Sequence, residues 1–190
     1  AQIPGGDLAK RFGWNSNVGG SYFYKTATNI LVGISGFFLF GDKIKESDLM
    51  SDIRTPDGNF LGTDGQFGNV IVYERGFNFM LHCGKIYSYL SPNNNCGFYL
   101  IGGAGFLQHK IRIEDQSNNV PEVEGNYAKG YDRLTNGPAL SESFGYCYLS
   151  NKHLINFYLG VELLQAFTAN RRPVNFDTRL KDTTKRLDLL

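Results

Sequence analysis

Three ionisable side chains lie where acid–base chemistry would need them, inside segments of alternating polarity. Glu74 and His82 fall on the polar side of one segment with Asn78 between them, and Glu162 falls on the polar side of another. A carboxylate and an imidazole held close together can relay a proton or act as a general acid and base. The alternative is structural, because polar side chains enclosed by a small curved sheet pair with one another, Glu74 with a lysine or arginine for example. We predict the structural role.

Other residue combinations do not form a recognisable catalytic site. The sequence offers no nucleophile–base pair, metal cluster or carboxylate dyad at a usable spacing, so we predict neither an enzyme nor a bound metal or cofactor. The alternative is a lipid-modifying enzyme in which His82 or His109 contacts a serine on a neighbouring strand.

The three cysteines, Cys83, Cys96 and Cys147, are an odd number and match no zinc pattern. We expect free thiols. A second interpretation is a disulfide between Cys83 and Cys96 across the base of a hairpin, in an oxidising periplasm.

The segment 12–24 shows a strict two-residue alternation. Its even positions are mostly apolar and aromatic at both ends, and its odd positions are mostly small and polar. Side chains alternate faces along a β-strand, so this segment has one apolar side and one polar side. Aromatic residues at both ends of the apolar side are typical of a strand that crosses an outer membrane. On this pattern Phe12, Trp14, Val18 and Tyr22 face lipid.

The same alternation predicts six strands, at 11–26, 29–42, 67–86, 97–114, 139–150 and 153–168. Short turns connect some neighbours (26–29, 87–96 and 150–153), and segments of around twenty residues connect others (43–66, 115–138 and 168–185). Long loops without secondary structure are uncommon in compact soluble domains, whereas barrels of the outer membrane have short periplasmic turns and long extracellular loops. We therefore predict a single domain over residues 1–190, an all-β, antiparallel, up-and-down transmembrane β-barrel. A soluble lipocalin-like barrel, with its apolar residues inside, is the main alternative.

The strand count follows from parity. Bacterial barrels have even strand numbers and both termini in the periplasm. Six strands beginning at residue 11 would place the long loops on the periplasmic side, where such barrels have short turns. One strand ending near Gln2, followed by an extracellular loop at Pro4–Lys10, restores the pattern, and Arg186–Leu190 begins another alternation. We expect eight strands with the first and last clipped. The alternative is that Ala1 follows a signal-peptide cleavage site. Glu74, Asn78, His82 and Glu162 would then form a polar plug in the lumen.

Composition restricts the partners. Lys+Arg 19 against Asp+Glu 18 gives no electrostatic case for nucleic acid. The apolar stretch at 30–40 is too short and interrupted for a spanning helix.

Arg75 falls on the apolar side of its strand, where a charge in mid-membrane costs about 2–4 kcal/mol unless it lies near the rim, at a bulge or against a protein partner. Arg171 and Arg172 could bind lipopolysaccharide phosphates or an acidic partner, or lie in a solvated loop.

Four segments carry a resemblance that covers nearly the whole chain: 6–13 (GDLAKRFG), 105–114 (GFLQHKIRIE), 129–134 (KGYDRL) and 175–178 (NFDT). They resemble a family of small outer-membrane barrel proteins of Bacteroidota. Family members end in a strand with a terminal aromatic residue, which this chain lacks. The resemblance implies no catalytic residues. Barrels of this size in Bacteroidota occur as accessory subunits of large outer-membrane machines, including the β-barrel assembly complex and the type IX secretion apparatus.

We therefore expect a non-catalytic accessory subunit in the outer membrane that contacts lipid, lipopolysaccharide and other outer-membrane proteins. Its three long loops would lose conformational entropy unless a partner orders them. A stand-alone structural or surface-binding barrel is the alternative of a different class.

Overall fold

The computed structural model describes residues 2–89, 93–150 and 156–190. The chain is all-β, with 59% of its residues in strands and 6% in helices. The helical elements are short: Leu8–Arg11 (α1), a 3-10 turn at Pro121–Val123, and Ala128–Tyr131 (α2). None of the helices in the described ranges is long and apolar enough to span a bilayer.

Eight of ten strands form one antiparallel sheet. The strands are Gly5–Gly6 (β1), Ser16–Lys25 (β2), Ile30–Gly41 (β3), Phe60–Leu61 (β4), Phe67–Gly68 (β5), Val70–Tyr87 (β6), Gly97–Asp115 (β7), Thr135–Leu149 (β8), Asn156–Asn170 (β9) and Lys185–Leu189 (β10). The sheet order is β1-β10-β9-β8-β7-β6-β3-β2, and β4 pairs with β5 in a small hairpin. From β2 to β10, consecutive strands of this sheet are thus neighbours in it, while β1 pairs with β10 at the other end of the order.

The predicted strands are present with shifted boundaries. The first begins at Ser16 instead of residue 11, because residues Leu8–Arg11 form a helix, and the fifth begins at Thr135, four residues before the predicted start. The segment predicted as a loop at Pro4–Lys10 is partly ordered secondary structure, since Gly5 and Gly6 pair with Leu189 and Asp188. The predicted turn at 150–153 falls largely on residues outside the described ranges.

The two faces of the sheet differ sharply in exposure. One face is buried and contains the polar residues Glu74, Asn78, His82 and Ser141. The other presents exposed apolar side chains on every long strand, which we call the apolar band: Val18, Tyr22, Val32, Phe38, Phe79, Leu81, Phe98, Leu100, Leu140, Phe144, Leu159, Leu163 and Phe167. The predicted alternation is therefore present, with the apolar side exposed.

Phe12 is an exception to the predicted pattern. It was assigned to the lipid-facing register with Trp14 and Val18, but its side chain is fully buried and lies edge-on to His109. The assignment is wrong because helix α1 ends at Arg11, and the extended alternation starts only after it. The alternation predicted over 153–168 also places Ile155 on the apolar side, but Ile155 lies outside the described residues.

The long connections pack on one another instead of extending into solvent. Leu8, Phe12, Leu49, Met50 and Tyr131 form one buried apolar cluster drawn from α1, the segment 42–59 and α2. We call α1 together with the segments 42–69, 116–134 and 171–184 the loop cap. We predicted that these loops need a partner to order them. That reasoning does not hold, because the loops bury apolar surface against each other.

The sheet is strongly curved. Side chains of β2 and β8 line one cavity, although three strands separate them in the sheet order. At the ends of the order, the Gln2 amide donates to the Asn15 carbonyl at 2.9 Å, while β1 pairs with β10. The buried face is thus the inside of the curve.

Candidate functional site

The buried face carries a serine–histidine contact in its middle. Ser35 Oγ on β3 lies 2.8 Å from His82 Nε2 on β6. The strand register opposes His82 with Gly33 on one side and Gly103 on the other. A Cβ at Gly103 would lie 2.8 Å from His82 Nδ1, so the glycine leaves the room that the imidazole occupies. The pair is therefore built by register and by a missing side chain.

A cavity of about 270 Å³ opens beside this pair. Its wall is mainly aromatic and aliphatic, with Glu162, Ser143 and Lys25 as further polar groups. A second cavity of about 350 Å³ shares Ser35, Phe37 and Glu162 with the first and extends to Gln2 and Leu190. The two spaces therefore meet at Ser35, inside the curve of the sheet.

The arrangement contains part of the machinery of a serine hydrolase. A serine hydroxyl within hydrogen-bond distance of an imidazole is the nucleophile–base contact that such enzymes use. The carboxylate that completes a catalytic triad is missing, because His82 Nδ1 has no hydrogen-bond partner among the described residues. In a catalytic triad a carboxylate binds that nitrogen and orients the ring. Glu162 lines the same cavity but does not make this bond.

Of the four residues predicted to plug the interior, Glu74, Asn78 and His82 are buried on one face of β6, and Glu162 lines the cavity from β9. Glu74 accepts from the Asn15 amide at 3.0 and 3.1 Å. The suggested lysine or arginine partner of Glu74 is wrong, since a neutral amide occupies that place.

A second buried network links the last strand to the sheet. His109 Nε2 lies 3.0 Å from Asp188 Oδ2, and Thr168 Oγ1 donates to the same oxygen at 2.5 Å. His109 and Asp188 are fully buried. Sequence analysis missed Asp188. Its register was a usable signal, because it lies between the apolar positions Leu187 and Leu189.

The loop cap contains a chain of buried ion pairs. Glu46 accepts from Arg11 at 2.5 Å and from Arg133 at 3.0 Å, and Arg133 also donates to Asp177 at 2.5 Å. Burial opposes ionisation of Glu46, but the two guanidinium groups outweigh it and hold the Glu46 pKa below its usual range. Burial raises the pKa of Asp177 despite its contact with Arg133.

The arginines predicted as partner contacts are not gathered into one site. Arg75 donates to the Glu74 carbonyl at 2.8 Å and lies 4.9 Å from the Tyr73 ring centroid. Arg171 donates to Asn136 Oδ1 at 2.6 Å, and Arg172 pairs with Asp132 inside the cap. Each guanidinium is thus held within the chain.

The structure has free thiols at Cys83, Cys96 and Cys147. Cys83 is exposed on the apolar band, whereas Cys96 is buried with its Sγ 3.3 Å from the Leu149 carbonyl. The suggested Cys83–Cys96 disulfide is therefore not formed, because the two side chains occupy different environments.

One charged residue in the apolar band escaped sequence analysis. Glu142 on β8 lies between Leu140 and Phe144, whose side chains are 51% and 53% exposed, and it is exposed itself. Its strand neighbours in the register are Gly102 and Leu163. No hydrogen bond or ion pair joins Glu142 to another described residue. The signal was present in the sequence, because Glu142 interrupts the even, apolar positions of its strand.

The geometry can be set beside known proteins. No family model, curated protein or solved structure matches this chain.

Proposed function

We propose that the protein is an integral outer-membrane β-barrel and a non-catalytic accessory subunit of a larger outer-membrane complex. The membrane assignment is supported by the positions of the apolar and polar side chains. The outer face of the curved sheet exposes the apolar band, while carboxylate, imidazole and hydroxyl groups lie inside. Water would favour the opposite arrangement, and hydrocarbon favours this one.

Closure of the sheet follows from the requirements of lipid. A sheet edge in the bilayer core leaves backbone amides and carbonyls unpaired, which costs several kcal/mol for each group. Gln2 bridges to Asn15 beside β2, and a few residues later β1 pairs with β10. The segment from Gln2 to Gly6 thus supports closure of eight strands into an up-and-down barrel, with the loop cap outside the cell.

The subunit role is supported by the wall of the barrel. Glu142 places an unpaired carboxylate among apolar side chains, where bound lipid offers it poor solvation. A protein neighbour on that wall would solvate it. Barrel assembly and type IX secretion remain the two kinds of complex that the family resemblance suggests, and a stand-alone structural barrel is the competing role.

The decisive experiment is recovery of the tagged full chain from membranes of its host in mild detergent. We expect a reproducible set of co-eluting outer-membrane proteins at fixed stoichiometry. Recovery as a lone monomer, under conditions that preserve other complexes, would refute the subunit role. A protein that partitions into the aqueous phase without detergent would refute the membrane assignment.

A lipid-modifying acyl hydrolase is the second candidate, favoured by the 2.8 Å contact between Ser35 and His82. Ser35 Oγ would attack an acyl ester while His82 takes its proton and passes it to the leaving alcohol, and water would then release the acyl group. A fluorophosphonate probe separates the candidates. We expect no labelling of Ser35 in the wild type; labelling that disappears in Ser35→Ala would favour the hydrolase.

A further inference from the structure

The outer wall around Glu142 combines a lone charge with an open hollow. Gly102 lies opposite Glu142 on β7, and a Cβ built there would meet nothing closer than the Cys83 carbonyl at 4.0 Å. Ala104 follows on the same face of β7, and it is exposed as well. The wall is therefore recessed beside the carboxylate.

The surroundings of this hollow are apolar. Leu140, Phe144 and Leu163 flank Glu142 and expose about half of their surfaces each. Two polar residues border them, Gln165 as the strand neighbour of Leu140 and Lys85 on β6, whose Nζ lies 5.9 Å from the Tyr87 ring centroid. A carboxylate in such a setting is poorly solvated by hydrocarbon, so its exposure costs free energy until a positive group meets it.

We propose that the hollow at Gly102 and Ala104 seats a membrane-embedded segment of a partner protein that presents a lysine or arginine to Glu142. Charge complementarity selects this occupant. A purely apolar segment would leave the carboxylate desolvated and unpaired, whereas a basic side chain supplies hydrogen-bond donors as well as charge. The small residues let the backbone of the segment approach closely enough for that contact.

This inference rests on the proposed subunit role and adds the chemistry of its interface. A second copy of this chain fits the site less well. The cations on its own wall are less available for this contact. Lys85, two residues along β6 from the register neighbour of Gly102, has its Nζ 5.9 Å from the Tyr87 ring centroid, and Lys110 on β7 is half-buried. The occupant is therefore assigned to a different protein.

The test is site-specific photocrosslinking in the native host. A benzoyl-phenylalanine at Leu163 reports on the hollow, and one at Val18, an exposed band residue on β2, is the positional control. We expect the Leu163 probe alone to attach to one defined membrane protein, with the attachment mapped next to a lysine or arginine in its membrane-embedded part. Attachment to this chain itself, or to a segment without a basic residue, would overturn the proposal.

Charge and shape are then changed separately. Glu142→Gln should reduce the crosslink yield several-fold and Glu142→Lys should abolish it, while Glu114→Gln, at a carboxylate paired with Arg112, should leave it unchanged. Gly102→Leu should also reduce it by filling the hollow. Thermal unfolding in detergent checks that each variant is folded. If partners still co-purify but Glu142→Gln has no effect, this inference fails and the subunit role stands; if no partner is found by either method, both fail.

Discussion

His109 Nε2 and Asp188 Oδ2 lie 3.0 Å apart with both side chains fully buried. Asp188 belongs to β10, the five-residue strand near the end of the chain, while His109 belongs to the long strand β7. The backbone of β10 is joined to β9 through five register pairs and to β1 through two, and the His109–Asp188 bond adds a buried side-chain contact to β7.

Removal of the Asp188 carboxylate should loosen that attachment. In Asp188→Ala, His109 and Thr168 both lose their acceptor inside the protein, and each buried group left unpaired costs about 1–3 kcal/mol. We expect a lower unfolding midpoint in detergent. Asp57→Ala, at an exposed loop carboxylate, is the control and should leave the midpoint unchanged. Equal midpoints for the two variants would contradict the assignment.

Substitution by alanine should destabilise the protein at one of two adjacent glycines on β7 and have little effect at the other. In Gly103→Ala the new Cβ would lie 2.4 Å from Ser141 Oγ and 2.8 Å from His82 Nδ1, so the Ser35–His82 pair must shift, at a cost of about 1–3 kcal/mol. In Gly102→Ala the Cβ points into open space, and the change should stay within about 0.5 kcal/mol. Denaturant unfolding of both variants measures the difference, and a larger effect at Gly102 would mean that the faces are reversed.

The alternation of the sequence was sufficient to predict the long strands and the side on which their apolar residues lie, because a period of two is a local signal. The Ser35–His82 pair could not be predicted from the sequence, since it depends on the register between β3 and β6 across the intervening segment 42–69. The loop cap was out of reach for a similar reason: Glu46 and Arg133 are 87 residues apart in the sequence. Glu142, by contrast, could have been identified from the sequence, because it interrupts the even-numbered apolar positions of its strand.

The loop cap should lose stability in acid. The Glu46 pKa is lowered in the folded state, so the stability it contributes is present above its unfolded pKa and is lost as the pH falls through its folded pKa. Asp177, with a raised pKa, acts in the opposite sense. We expect the unfolding midpoint to drop between pH 5 and 3, approximate limits set by the carboxylate range. Glu46→Gln should be less stable at pH 7 and show a smaller drop; an equal drop in both would exclude Glu46 as its source.

Conductance tests whether the proposed barrel is blocked. A barrel of eight strands would leave little space inside, and Leu8, Phe12 and Met50 of the loop cap form a buried apolar cluster with Ile111 of β7. We expect the purified protein in planar bilayers to show no stable large-conductance channel. A long-lived open state of large conductance would contradict both the plug and the cap.

The pairing of β1 with β10 has a consequence for the order of folding. The Asp7 side chain accepts from the Leu187 amide across 180 residues, and Gly5 and Gly6 pair with Leu189 and Asp188. Contacts this distant in sequence carry a high loop-closure entropy and slow the search for the native state. The hairpins from β6 to β9 can form from nearby residues, whereas β1 has to wait for the synthesis of β10. Assembly of the sheet should therefore finish at the junction between β1 and β10.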